Sequence, residues 1–324
     1  MCSKFPGHRQ GTLQLWVDDL RRKANTAIGM KAKSLLLAFL FVVPSAQAKD
    51  VTVQVAGRSV RLDITSPARP NATRPTIVFE SGLGTPGTGD FARVLPLLSK
   101  ELRTIRYDRP GLGGSADDEE SPTPRHIAIV LHGALAAARI APPYVLVGHS
   151  LGGARIRMFA GMYPNEVAGL VFVDPTPDFT RKSDDDLRDI FVPLGLGQKE
   201  RDEMSALQKS DPATPKPILA EAAMSSAMSG AGFPEIGVLP PLPNIPVVVL
   251  VGDSDTEWPT SMPVSFDMHR WVRQWLSVRN ASLRQFAGSL QRGTFVETTT
   301  SSHQIQNSEP GLIAWAIDRV LQKR

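Results

Sequence analysis

The sequence predicts an α/β fold: a mostly parallel central sheet with helices on both faces, and a helical cap inserted between strands 6 and 7. Three observations predict it. Short apolar runs rich in Val and Ile, such as "TIVFES" (76–81), "YVLVGH" (144–149), "GLVFVD" (169–174) and "VVVLVG" (247–252), alternate with helix-like segments. Strands that are apolar throughout are buried on both faces, the pattern of a parallel sheet covered by helices. The run 144–149 passes straight into a helix-like segment through Gly148-His149-Ser150-Leu151-Gly152. Finally, residues 175–244 break the alternation with a charged, Met-containing, Pro-bounded stretch ending in "LPPLPNIP".

The elements follow in order. Residues 51–65 alternate and read as two short strands around Gly57. After strand 76–81 comes the loop "GLGTPGTG", then a helix-like segment 90–102 with Asp90 as its cap. Strand 103–108 ends in the turn "RPGLGGS", and an apolar helix runs over 124–140 from Pro124. Strand 144–149 leads to a helix over 151–162 that stops before Pro164. After strands 169–174 and 247–252 come a helix carrying Trp271 and Trp275, a last strand at 293–298 and a last helix at 309–322. The core is therefore expected over 49–174 and 245–324, with a cap or lid over 175–244.

The chain has 324 residues, 42% hydrophobic and 21% charged, with a formal charge of +4. The first 48 residues carry +5 of it, leaving −1 on the rest. A near-neutral body supplies no field for nucleic acid. From Met30 the sequence reads "MKAKSLLLAFLFVVPSAQA", a basic start, an apolar run and an A-x-A site, the layout of a signal peptide cleaved after Ala48. Its apolar run is shorter than the ~20 residues that span a bilayer. Residues 1–29 read as a non-native extension, with translation starting at Met30. The expected location is periplasmic or secreted. The only cysteine is Cys2, so a chain starting at Lys49 has no disulfide, thiolate metal site or cysteine nucleophile.

Gly148-His149-Ser150-Leu151-Gly152 matches G-x-S-x-G, the nucleophile elbow. Such a serine stands at the sheet edge and the head of a helix, on a turn tight enough to force an uncommon backbone conformation. Residues two before and two after crowd the neighbouring backbone, hence Gly148 and Gly152. The Leu151 N–H points into the site and can hold an oxyanion.

With its flanks, this motif and "YDRPGLGGS" (107–115), "YPNEVAGLVFVDP" (163–175) and "SSHQIQNSEPGLI" (301–313) resemble, in order, the α/β-hydrolase family, over nearly all of 51–324 except the cap. The resemblance implies a second oxyanion donor in the loop after strand 76–81. There the family often has His-Gly-x-Gly, and this chain has Ser81-Gly82-Leu83-Gly84. Leu83 is then the donor through its N–H, and Glu80 closes a structural hydrogen bond. The resemblance implies a late histidine as base. His8 lies in the leader, His126 and His132 on the helix before the elbow, and His269 on a later helix; His149 adjoins the nucleophile as a packing or hydrogen-bonding group. His303 alone follows the last strand. The acid is expected after "VVVLVG", at Asp255 by its spacing from Gly252, with Asp174 and Asp253 as alternatives. Asp108 is expected to shape a turn.

A serine nucleophile argues against the dehalogenase and epoxide hydrolase chemistries, which in this fold use aspartate. The expected function is cleavage of carboxylic esters through an acyl-enzyme, by Ser150, His303 and Asp255 with Leu83 and Leu151 as donors, and with no metal or cofactor. Alternatives are amide or C–C bond hydrolysis, cofactor-free peroxidation, or a non-catalytic binding protein. Met204, Met224, Met228, Phe191 and Phe233 in the cap suit an apolar small-molecule ester, and equally a core of the cap's own. Trp258 lines the pocket or packs in the core.

Overall fold

The structure, a computed structural model, describes residues 47–67, 74–177, 180, 185, 187–207, 213–229, 233–256 and 262–322. The extension over 1–29, Trp258 and all of the leader except Gln47 and Ala48 lie outside them. Gln47 and Ala48 are paired in the first strand, with Ser66 and Thr65.

Eight strands form one sheet: β1 (Gln47–Val55), β2 (Arg58–Ser66), β3 (Thr76–Glu80), β4 (Thr104–Tyr107), β5 (Tyr144–His149), β6 (Val167–Val173), β7 (Val247–Gly252) and β8 (Gly293–Thr298). Their order is β1-β2-β4-β3-β5-β6-β7-β8. β1 and β2 form an antiparallel hairpin, β2 pairs antiparallel with β4, and every later pairing is parallel. Ala56 and Gly57, both at positive φ, close the hairpin. That is the backbone a two-residue hairpin turn needs.

The longer helices are α1 (Pro124–Ala137), α2 (Gly152–Met162), α3 (Gln198–Leu207), α4 (Lys216–Ser229), α5 (Met268–Ser289) and α6 (Pro310–Gln322). The Thr123 side chain accepts the His126 N–H and so caps α1, and Asp267 caps α5 through the Arg270 N–H. Side chains alternate across the sheet. Tyr144 and Leu146 join a core with α1 and α2 residues, while Val145 and Val147 join one with α6 on the other face. This is why β5 reads as apolar at every position.

The helix expected over 90–102 is shorter. A turn of helix spans Gly87–Asp90 and a 3-10 turn spans Leu95–Leu97. Pro96 offers no N–H to continue an α-helix. Asp90 is not an N-cap; its carboxylate is used elsewhere. Between β6 and β7 lie a helical turn over Leu187–Phe191, α3, α4 and a short turn Pro234–Gly237. Met224 and Phe233 from this segment join the core of α1 and α2, and Phe191 meets Trp271 of α5 edge to face. No helix among the described residues is long and apolar enough to cross a membrane.

Candidate active site

Ser150 sits between β5 and α2 at φ +53, in the left-handed region that side chains rarely adopt. The turn is locked: Ser150 N–H donates to the Val173 carbonyl at 3.0 Å, and Gly153 N–H to the Ser150 carbonyl at 2.9 Å. The two glycines make it feasible. A Cβ on Gly148 would lie 2.5 Å from the Gly152 carbonyl oxygen, and one on Gly152 would run into the Glu80 carbonyl at the end of β3. Neither obstacle is a side chain that can swing aside.

His303 follows β8 in the loop before α6. Its Nε2 lies 3.0 Å from Ser150 Oγ and its Nδ1 lies 2.6 Å from Asp174 Oδ2. A carboxylate only accepts, so Nδ1 carries the proton and donates to Asp174. Nε2 is then the acceptor, facing the Ser150 hydroxyl. The arrangement can draw a proton from the serine and hold the imidazolium against a carboxylate.

Asp255, expected as the acid, is not at this histidine. Its carboxylate pairs with His269 Nε2 at 2.8 Å, and Asp253 pairs with Arg273 at 3.3 Å. The partner of His303 is Asp174, at the end of β6. The loop bearing His303 runs over Gly252, where the Ser301 and Ser302 carbonyls occupy the place of a Cβ. His303 thereby reaches the end of β6 rather than the residues that follow β7. Asp174 is 0% exposed and stands at φ +41. Its Oδ1 accepts the Gly252 N–H at 2.8 Å, and Arg279 of α5 grips both oxygens at 2.8 and 2.9 Å. Burial alone would raise its pKa; the Arg279 charge, the His303 bond and the Gly252 N–H outweigh that and hold it below the usual carboxylate range.

The loop after β3 lies against the serine. A Cβ on Gly82 would fall 3.4 Å from Ser150 Cβ. On either side of Leu83 the backbone is held: Gly82 N–H donates to Asp90 at 3.2 Å and Gly84 N–H to Glu221 at 2.7 Å. The Leu83 and Leu151 N–H groups have no partner among the described residues. Two free donors beside a serine hydroxyl can hold an oxyanion.

A second layer supports these groups. His149 is buried, with Nδ1 3.3 Å from Asp90 Oδ2 and Nε2 3.1 Å from the His303 carbonyl oxygen. Gln306 donates to the other Asp90 oxygen at 2.9 Å. Burial would raise Asp90, but the bond to His149 and that histidine's charge, with the Gly82 and Gln306 donors, hold it low. Glu80 accepts from the Tyr107 hydroxyl and, at 3.0 Å, from Arg109. Asp108 shapes its turn by accepting the Gly114 and Thr88 N–H groups. His126 pairs with Asp118, and His132 with Glu166, away from the serine.

The sequence assigns no role to Gln306, Arg279, Arg109, Arg155 or Glu221, and to Asp90 only that of a helix cap. Only Arg109, beside the Gly-rich turn in "YDRPG", and Arg155, one helical turn past the elbow, carry a local signal, as charges next to glycines. No group of three His, Cys, Asp or Glu side chains suited to a metal occurs among the described residues.

Comparison with known proteins gives a consistent picture of the fold. The profile of the family described as "Alpha/beta hydrolase family" matches residues 77–298. An "AB hydrolase superfamily protein" of Gibberella zeae is 25% identical, over 81% of this chain and 90% of its own. An uncharacterized protein of Schizosaccharomyces pombe is 45% identical over 25% of this chain. The chain spans 15% of the length of that relative and 42% of a Bacillus subtilis relative. The crystal structure of Cfl2 from Burkholderia cenocepacia is 18% identical and aligns with a TM-score of 0.55 over 86% of this chain and 97% of its own.

Proposed function

Because the chain belongs to the alpha/beta hydrolase family, we propose that it is a serine hydrolase that cleaves carboxylic esters through an acyl-enzyme, with Ser150 as nucleophile, His303 as base and Asp174 as acid. One observation carries the reading: an unbroken chain of hydrogen bonds from the Ser150 hydroxyl through His303 to a buried, ionised Asp174. Two free N–H groups beside the serine support it.

Ser150 Oγ attacks the ester carbonyl as its proton passes to His303 Nε2. The carbonyl oxygen becomes an oxyanion held by the Leu83 and Leu151 N–H groups. The tetrahedral species collapses, the C–O bond to the alcohol breaks, and His303 returns the proton to the departing alkoxide oxygen. Water then attacks the acyl-enzyme with His303 again as base, releasing the carboxylic acid and free Ser150. Asp174 keeps the imidazole in the tautomer that leaves Nε2 open and stabilises the imidazolium.

The substrate is proposed to carry an apolar acyl or alkyl group. Leu83, which is 38% exposed, supplies apolar surface next to the two donors. The protein is also proposed to be exported, with its leader removed after Ala48. The test is hydrolysis of p-nitrophenyl esters of increasing acyl length, with Ser150→Ala as control. Turnover that rises with chain length to an optimum and vanishes in Ser150→Ala is expected. Equal turnover by both proteins would overturn the reading. For export, the first residue of the protein from the native periplasm or medium is expected to be Lys49, and an intact leader would count against it.

A further inference from the structure

Leu83 stands in a loop whose neighbouring amides are fixed by two carboxylates. One, Asp90, is local. The other, Glu221, lies 137 positions away on α4, in the segment inserted between β6 and β7. The residue is 2% exposed, and its carboxylate accepts three hydrogen bonds, from Gly84 N–H at 2.7 Å and from Arg109 Nε at 2.6 Å and Nη2 at 3.0 Å, with Arg155 Nη2 3.0 Å away as an ion pair.

The same two arginines hold the rest of the loop from below. Arg109 donates to the carbonyls of Ser81 at 3.0 Å, Gly82 at 2.8 Å and Thr85 at 3.3 Å, and Arg155 to that of Ser81 at 3.3 Å. Glu80 completes a buried cluster of two glutamates and two arginines, with the Tyr107 hydroxyl on Glu80. Removing one carboxylate from such a cluster leaves a buried cation unbalanced.

Two apolar contacts dock α4 on the same place. Gly84 is at φ +67, and a Cβ there would lie 2.9 Å from Ile218 Cγ2. One on Gly111, in the turn after β4, would lie 2.6 Å from Pro217 Cγ. The helix therefore sits on the oxyanion loop and on the turn after β4 that carries Arg109.

We propose that Glu221 is a positioning residue for the oxyanion loop, so that the Leu83 N–H is correctly aimed only while α4 of the inserted segment is docked. The inserted segment then does more than cover the substrate. It completes the transition-state site, and its undocking switches acyl transfer off while Ser150, His303 and Asp174 stay in place. This inference rests on the serine-hydrolase reading above.

The test compares wild type, Glu221→Gln and Glu221→Ala on one p-nitrophenyl ester, with active sites counted by exhaustive fluorophosphonate labelling. Glutamine keeps an acceptor for the Gly84 N–H and loses the charge; alanine loses both. Per labelled site, kcat is expected to fall about tenfold for glutamine and about 100-fold for alanine, the effect of misplacing one oxyanion donor. KM is expected to stay within about threefold, and phenylboronic acid, an analogue of the tetrahedral species, should weaken in proportion to the loss of kcat/KM. A merely structural role would lower the number of labelled sites and leave kcat per site unchanged, and that result overturns the proposal.

Hydrogen exchange on the wild-type protein needs no variant and decides the matter should Glu221→Ala fail to fold. Amides of 82–85 and of α4 should open together, with matching protection. A well-protected loop beside a freely exchanging α4 would overturn the latch. A wild type that neither labels nor turns over would instead sink the serine-hydrolase reading, and exchange would still report on the coupling.

Discussion

Replacing Asp174 with asparagine isolates the part played by the acid. Each carboxylate oxygen accepts two donors: Oδ1 takes Gly252 N–H and one Arg279 nitrogen, Oδ2 takes the other Arg279 nitrogen and His303 Nδ1. An asparagine has one acceptor oxygen and one donor NH2. The Gly252 and Arg279 donors cannot become acceptors, so the oxygen goes to the Oδ1 side, where both neighbours are fixed donors. The NH2 then faces His303, the only partner able to change. His303 shifts its proton to Nε2 and presents an N–H to Ser150 in place of a lone pair. With the wrong tautomer the base is lost, which in serine triads is a fall of about 10⁴ in kcat, or about 5 kcal/mol of barrier. The assay is p-nitrophenyl ester hydrolysis with each variant's folding checked by thermal melting, because Arg279 also loses its carboxylate partner. Asp255→Asn is the matched control. Its carboxylate meets a histidine that is 61% exposed, so a change within about threefold is expected. A dead Asp255→Asn beside an Asp174→Asn that keeps more than a tenth of the wild-type rate would refute the reasoning.

Other expectations follow from the same geometry. Leu83→Ala should keep kcat within about threefold, because the backbone N–H is what acts there. Gly82→Ala should lower kcat about tenfold, since its Cβ would press on His149 Nδ1 at 3.0 Å, next to the serine; ester kinetics on the pair separates the two outcomes. Gly152→Ala should cost about 2–3 kcal/mol in urea unfolding, because its obstacle is the backbone of β3. For stability against acid, burial raises the Glu221 pKa, but Arg155, Arg109 and the Gly84 N–H outweigh it and bring it to about 2, from 4.5. A carboxylate lowered on folding stabilises above its unfolded pKa, and that contribution, about 3 kcal/mol, is lost as pH falls from 4.5 toward 2. Melting temperature should drop through that window in wild type and less steeply in Glu221→Gln.

What the sequence made legible is what local chemistry dictates. Strands β5, β6 and β7 announce themselves as unbroken apolar runs because helices bury them on both faces. The elbow is legible because only glycine fits beside two neighbouring backbones, and His303 because it is the one histidine placed after the last strand. The acid was not. Both β6 and β7 end in an aspartate within three residues, and the choice is made by the path of 301–303 across Gly252, a long-range feature with no local signature. Glu221 is harder still. In sequence it is one glutamate in an alanine-rich helix, and its meaning comes from Arg109, Arg155 and Gly84, all distant in the chain. The helix expected over 90–102 failed for a local reason, Pro96, and the buried partners of Asp90 override its capping propensity.

The central claim is that Ser150 is a nucleophile held ready by His303. Fluorophosphonate labelling of the wild-type protein, followed by peptide mass spectrometry, tests it most directly. One label per chain, located on Ser150 in the peptide bearing "GHSLGG" and lost in Ser150→Ala and His303→Ala, is the predicted result. No label on Ser150 in folded wild-type protein would contradict the account.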